Sequence, residues 1–390
     1  VAATSPPGPT CRGGMSSKRT CQTALPWEGR EGSPARNDWG RRKDPWVLRI
    51  PRRVRTLFRR RPSPPPPPPP PPPLFCIDAG SLLAFVTVSV SAWLLLVATE
   101  TLPPVMVPVS RVWLVYPLTQ FYLGLAYLGL GPLLGISGTL EMGTREAAVS
   151  NGVLAVFTAL LLQAACSYGL TILGPKRNLA HIMHPPIAIY AVGWSYYAFK
   201  VFGAPPLVVR DIFGIAFEPL HLFLWMCSTA TQCILCELTH SIDCGGGGPF
   251  PLPAAALFWT LAMLWTGLLG WIDWWSDGLW GTRRAALSAA LNLASCASFY
   301  ALLATCTTPI FKCADHYWQL HRQRLADPAS TQSGIDATRV LYKQFTWARV
   351  YLYISWHSFP VVWLLGACGL IDGEMREMLF TLSDLVAKFL

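Results

Sequence analysis

R-V-Y-L-Y-I-S-W-H-S-F-P-V-V-W-L-L-G, residues 349–366, and E-M-L-F-T-L-S-D-L-V-A-K-F-L, residues 377–390, are the two stretches that decide the fold. The first is an aromatic, apolar run broken by Pro360. The second carries Asp384 and Lys388 four residues apart, which on a helix puts them on one face and one turn from each other. An ionisable side chain inside an apolar span is costly, and it marks a functional position by default. Two plainer arrangements give the same pattern. Lys388 can reach for the interface from a helix end, since the sequence stops two residues later. The pair can also be an ordinary i,i+4 salt bridge. On this helix alone all three readings stay open.

The rest of the chain has the same apolar character. Of its 390 residues 52% are hydrophobic and 13% charged, about half the charge that coats a soluble domain. A membrane helix needs about 20 apolar residues. Nine segments meet or approach that length, near 75–99, 111–137, 147–173, 180–203, 211–238, 253–275, 284–311, 338–368 and 374–390. Turn signals separate them: Pro103-Pro104, Gly174-Pro175, Pro205-Pro206, Gly245 to Gly248 and Asp372-Gly373. There is no internal repeat. The expected fold is an all-α, multi-pass integral membrane protein.

Basic residues in the connectors give an orientation. Lys176 and Arg177 mark one connector, and Arg322, Arg324, Arg339 and Lys343 mark the longest, near 312–340. An even number of spans separates the two, so both fit the cytoplasmic side, and the last helix then runs inward. Nine spans place the basic N-terminal tail outside and eight place it inside; the sequence leaves both counts open.

That tail, residues 1–73, holds 15 Lys/Arg against 4 Asp/Glu and ends in the prolines Pro64 to Pro73. It reads as a disordered, basic, Pro-rich segment with a stiff polyproline rod at its end. The net charge of +10 belongs to this tail. It suits anionic lipid headgroups. Nucleic acid is not an expected partner, because the tail has no interleaved aromatics and no reader motif. Most cysteines lie in apolar spans and behave as small hydrophobes. Cys233 and Cys236 form a C-x-x-C without a second ligand pair, so no metal site is expected. No nucleophile motif or phosphate-cradling glycine loop appears, and the chain as given is not expected to be an enzyme.

The two opening stretches together resemble the last two helices of microbial-type rhodopsins, with a Trp-x-x-aromatic-Pro core, a second Trp one turn on, and Asp-x-x-x-Lys on the next helix. The resemblance is densest over residues 339–390. It implies that Lys388 holds all-trans retinal as a covalent Schiff base, that Asp384 is a counterion, and that Trp356, Phe359, Pro360 and Trp363 wall the polyene. P-P-I-A-I-Y-A-V-G-W, residues 185–194, resembles the second helix of the family. L-F-L-W-M-C-S-T-A-T, residues 222–231, resembles the third and implies that Trp225, Ser228 and Thr229 lie against retinal. Core packing explains these two runs equally well.

The third helix departs from the family. Leu224 stands where the primary proton acceptor belongs, Leu235 where the internal donor belongs, and His221 where an arginine belongs. Phe359 replaces the tyrosine that usually bonds the last-helix aspartate. Few acids besides Glu218, Glu237 and Asp273 lie in the spans. The expected organisation is a tail over 1–73, extra transmembrane helices over 74–145, and a seven-helix retinal-binding bundle over 146–390. Extra helices before the bundle resemble the eight-helix rhodopsins fused to cyclases, phosphodiesterases or bestrophin channels, whose effector follows the last helix. The favoured function is a photoreceptor that signals to a partner or to a domain beyond Leu390. A light-driven pump or light-gated channel is the first alternative, and a transporter or opsin-like protein without retinal the second. Expected partners are membrane lipid, retinal, a fused or separate signalling domain, and further copies of this chain in a homo-oligomer.

Overall fold

The computed structural model describes residues 78–135, 143–175, 177–202, 207–212, 216–272 and 281–388. The tail expected to be disordered, residues 1–73, lies outside the described residues, as does Asp273. Nine α-helices run through the described residues: α1 (Ala79–Ala98), α2 (Val115–Leu134), α3 (Thr144–Leu173), α4 (His184–Phe202), α5 (Pro219–Cys244), α6 (Ala254–Trp271), α7 (Gly281–Ala326), α8 (Gln332–Ala367) and α9 (Gly373–Ala387). Each corresponds to one of the nine apolar segments.

Helices α3 to α9 form a closed ring. Each packs on the next, and α9 returns to α3. Helix α5 also reaches across to α7. Helices α1 and α2 pack on each other outside the ring, α1 against α6 and α2 against α4 and α5. Glycines permit the close α1–α2 crossing: a Cβ on Gly129 would stand 2.5 Å from the Ala79 carbonyl oxygen. Small residues at such crossings let helices associate in lipid, where the hydrophobic effect does not drive them together.

Two short antiparallel pairs mark opposite ends of the bundle. β1 (Met106–Val107), between α1 and α2, pairs with β4 (Phe250–Pro251), between α5 and α6. β2 (Val209–Arg210) and β3 (Ala216–Phe217) form a hairpin between α4 and α5. A bridge from Asp211 to Ile272 joins that hairpin to the end of α6.

Six helices, α1, α3, α5, α6, α7 and α8, are long and apolar enough to cross a membrane. Of the other three, α9 is only 15 residues long, and polar groups turn inward or soften the run in α2 and α4. Lys200 of α4 and Arg376, Glu377, Asp384 and Lys388 beside α9 are all buried. The outer surface is apolar instead: Phe85, Leu162, Leu293 and Ile354 are each more than 60% exposed. Large exposed apolar faces over polar interiors suit a lipid solvent, where backbone groups must be satisfied within each helix. The protein is a multi-pass integral membrane protein.

The region expected to be the longest connector, 312–340, is mostly helix. Helix α7 continues to Ala326 and α8 begins at Gln332, so 327–331 alone make the turn. The only proline in that stretch is Pro328, and the polar residues on either side of the turn tolerate a helix in water. At ~1.5 Å per residue α7 is about 69 Å long, against a hydrocarbon core of about 30 Å. Together α7 and α8 project well past the bundle. Thr331 caps α8 by accepting from the Gly334 amide, and Asp372 caps α9 by accepting from Met375.

Candidate functional site: a buried lysine at the end of an aromatic cavity

The site is built around Asp384, which is fully buried. Its Oδ1 lies 2.5 Å from Lys388 Nζ and accepts from Trp225 Nε1 at 2.6 Å. Its Oδ2 accepts from the Tyr197 hydroxyl at 2.8 Å and lies 2.5 Å from His221 Nε2. One carboxylate thus binds groups from α4, α5 and α9. A carboxylate with nothing but apolar neighbours would be expelled or neutralised; four polar partners hold it in place.

Lys388 opens onto a cavity of about 170 Å³, more than ten times the ~10–15 Å³ that one water needs. Trp225, Ser228 and Thr229 of α5 line it, as do Trp356, Phe359, Pro360 and Trp363 of α8. Trp271 of α6 and Phe380 of α9 add two aromatic walls. Every site residue expected from the sequence therefore borders this one space, except Asp384, which stands behind the amine. The aromatic rings brace one another: Trp225 to Phe359 is 4.7 Å between centroids, Trp225 to Phe380 is 5.1 Å, and Trp271 stacks on Trp363 at 5.7 Å. The Ser228 hydroxyl donates to the Leu224 carbonyl at 2.8 Å and so is occupied within its own helix. Gln232 donates to the Ala387 carbonyl at 2.7 Å and fixes the end of α9.

Leu224 lies in the apolar core with Phe223 and does not line the cavity. His357 packs against Phe299 and Tyr300 of α7, away from the lysine. Phe359 does leave one hydrogen bond to Asp384 unmade, but Tyr197 of α4 makes another, which the sequence alone does not reveal. A second polar group continues from His221, whose Nδ1 lies 3.4 Å from Glu377. The carboxylates of Glu146, Glu218 and Glu377 come within 4.8 Å of one another. Lys200 lies among them, 2.8 Å from Glu146 and 3.0 Å from Glu218, and Tyr196 donates to Glu218 at 2.9 Å. A third pair, Arg376 with Asp211 at 2.7 Å, ties α9 to the β2–β3 hairpin.

The family model for bacteriorhodopsin-like protein matches residues 225–390, from Trp225 of α5 through α9. Over these residues, under half of the chain, it is similar to microbial-type rhodopsins. No curated protein matches this chain. Among solved structures, the transmembrane domain of Salpingoeca rosetta rhodopsin phosphodiesterase aligns at 14% identity over 80% of this chain and 92% of its own, with a TM-score of 0.45. A structure of the same domain with its linker region aligns at 17% identity over 70% of this chain and 88% of its own, again at 0.45. Thermophilic rhodopsin from Rubrobacter xylanophilus aligns at 18% over 62% of this chain and 91% of its own, with a TM-score of 0.41. The rhodopsin family carries a retinal chromophore. An apolar, aromatic cavity with a buried amine at one end fits a long conjugated aldehyde.

Proposed function

We propose that this chain is a rhodopsin photoreceptor whose retinal is held as a Schiff base by Lys388, with Asp384 as the counterion. The observation that carries this reading is the Lys388 amine at the head of the aromatic cavity, 2.5 Å from Asp384. Bound retinal supplies light absorption and a change of shape. The chain supplies the rest. Trp225, Trp356, Phe359 and Trp363 confine the polyene, and Asp384 supplies the negative charge that a buried cation at Lys388 requires. Pro360 removes one helix hydrogen bond in α8 at the cavity wall, where bending costs least.

The test is a spectrum. Purified protein loaded with all-trans retinal absorbs in the visible. Asp384→Asn removes the anion, so the Schiff base sheds its proton and absorption moves towards the ultraviolet. A visible band that Asp384→Asn leaves unchanged would overturn the counterion assignment.

Signalling is favoured over pumping because the polar chain is one-sided. Glu377, Glu218, Lys200 and Glu146 all lie toward the β2–β3 end of the bundle. On the other side Cys233, Cys236, Leu302, Cys306 and Leu352 form an apolar cluster, and Glu237, the acid beside Cys236, lies 3.9 Å from His240 rather than on the Asp384 run. The run Asp384–His221–Glu377 is the specific observation behind a second reading, outward proton transport. Illumination of vesicles containing the protein separates the two. A sustained pH change, abolished by a protonophore, favours transport; none favours signalling through a partner or a fused domain.

A further inference from the structure

Cysteines of α5 and α7 meet at two levels. Cys236 Sγ lies 3.8 Å from Cys306 Sγ, and Cys244 Sγ lies 3.8 Å from Cys313 Sγ. The spacing is two helical turns on each helix, which the parallel course of α5 and α7 brings into register. The inner pair is sealed in the core with Leu302, Leu352 and Trp356. The outer pair differs. Cys244 is half-buried at the last residue of α5, while Cys313 is fully buried behind it. Cys244 is the partly exposed member of the pair, and Cys313 stands buried beside it.

We propose that Cys244 and Cys313 are a redox modification site that takes a small disulfide of the glutathione class. The accessible Cys244 thiolate attacks one sulfur of the small disulfide, forming a mixed disulfide and releasing one thiolate. The Cys313 thiolate then attacks the Cys244 sulfur, forming the Cys244–Cys313 bond and releasing the second thiolate. Two cysteine sulfurs lose two electrons, the small disulfide gains them, and the two cysteine protons end on the two released thiols. The sulfurs must close from 3.8 Å to about 2.05 Å. The backbone after Cys244 has room to give, since Gly246 and Gly247 follow with φ of 72° and 77°. The basic connectors place this end of α5 in the cytoplasm, where a reducing pool keeps thiols apart until conditions change. Once formed, the bond fastens the end of α5 to α7 at the base of the α7–α8 projection.

The experiment needs no retinal. The full chain in detergent is exposed to glutathione disulfide, digested without reductant and read by mass spectrometry. A peptide joining Cys244 to Cys313, two hydrogens lighter than its thiol parts and split by dithiothreitol, is expected. Cys313→Ser should lose that peptide and accumulate a glutathione adduct on Cys244. Cys236 and Cys306 should stay reduced, and Cys368, exposed at the end of α8, reports that the reagent is active. Overturning results are a stable glutathione adduct on Cys244 in the unmutated chain, no reaction at Cys244 while Cys368 reacts, or oxidation of Cys236 with Cys306 instead.

Discussion

Asp384 has no spare capacity: each oxygen is already shared between two partners. Losing one donor therefore changes how much negative charge remains for Lys388. In Tyr197→Phe the carboxylate keeps more charge for the retinal-bound lysine, which stabilises the ground state. The visible band should move to shorter wavelength yet stay in the visible, unlike that of Asp384→Asn; absorption spectroscopy of the two variants checks this order. Lys200→Met removes the cation among Glu146, Glu218 and Glu377. Leaving buried carboxylates unpaired costs about 3–5 kcal/mol, so the thermal midpoint of the solubilised protein should fall. Adding Glu218→Gln should recover part of the loss. The rule that singles out Lys388 in the sequence applies equally to Lys200, an ionisable residue in an apolar segment. What the sequence withholds is the partner set, since Glu146, Glu218 and Glu377 lie on or beside three other elements. Tyr197 is hidden for the same reason: 187 positions separate it from Asp384, and no local spacing encodes that contact. Asp384 with Lys388 is legible because both lie one turn apart on one helix.

At the scale of elements, all nine apolar segments are legible, because length and hydropathy are local properties. Where a helix stops is less so. Hydropathy marks where α7 leaves the apolar layer, near 311, but backbone bonding carries the helix on to Ala326. Packing between helices supplies a different kind of prediction. A Cβ on Gly193 of α4 would stand 2.6 Å from the Phe157 ring of α3. Gly193→Ala should cost about 1–3 kcal/mol through overpacking, and Phe157→Leu in the same chain should relieve part of it. Thermal unfolding of the single and double variants checks both signs. The cap of α9 is a smaller term. Asp372→Ala removes the hydrogen bond from the Met375 amide, 2.7 Å long, at a cost of about 1 kcal/mol, with no change of colour expected in the retinal-loaded protein.

For the whole molecule, the closed ring from α3 to α9 and the outlying α1–α2 pair separate two jobs. The ring encloses the cavity, while α1 and α2 cover the outer faces of α4, α5 and α6. Protease should reach the turn at 327–331, which stands at the tip of the α7–α8 projection. The two fragments should stay together and keep the visible band, because α7 and α8 pack on each other and on the ring. The same projection has a mechanical consequence. Pro360 borders the cavity, and α8 runs from there back to Gln332, a distance of roughly 42 Å at ~1.5 Å per residue. Helix α8 is therefore a lever with its fulcrum at the aromatic wall. A tilt of about 5° at the proline, too small to disturb a packed core, would sweep the far tip by roughly 4 Å, a discrete step of the size that repacks interfaces.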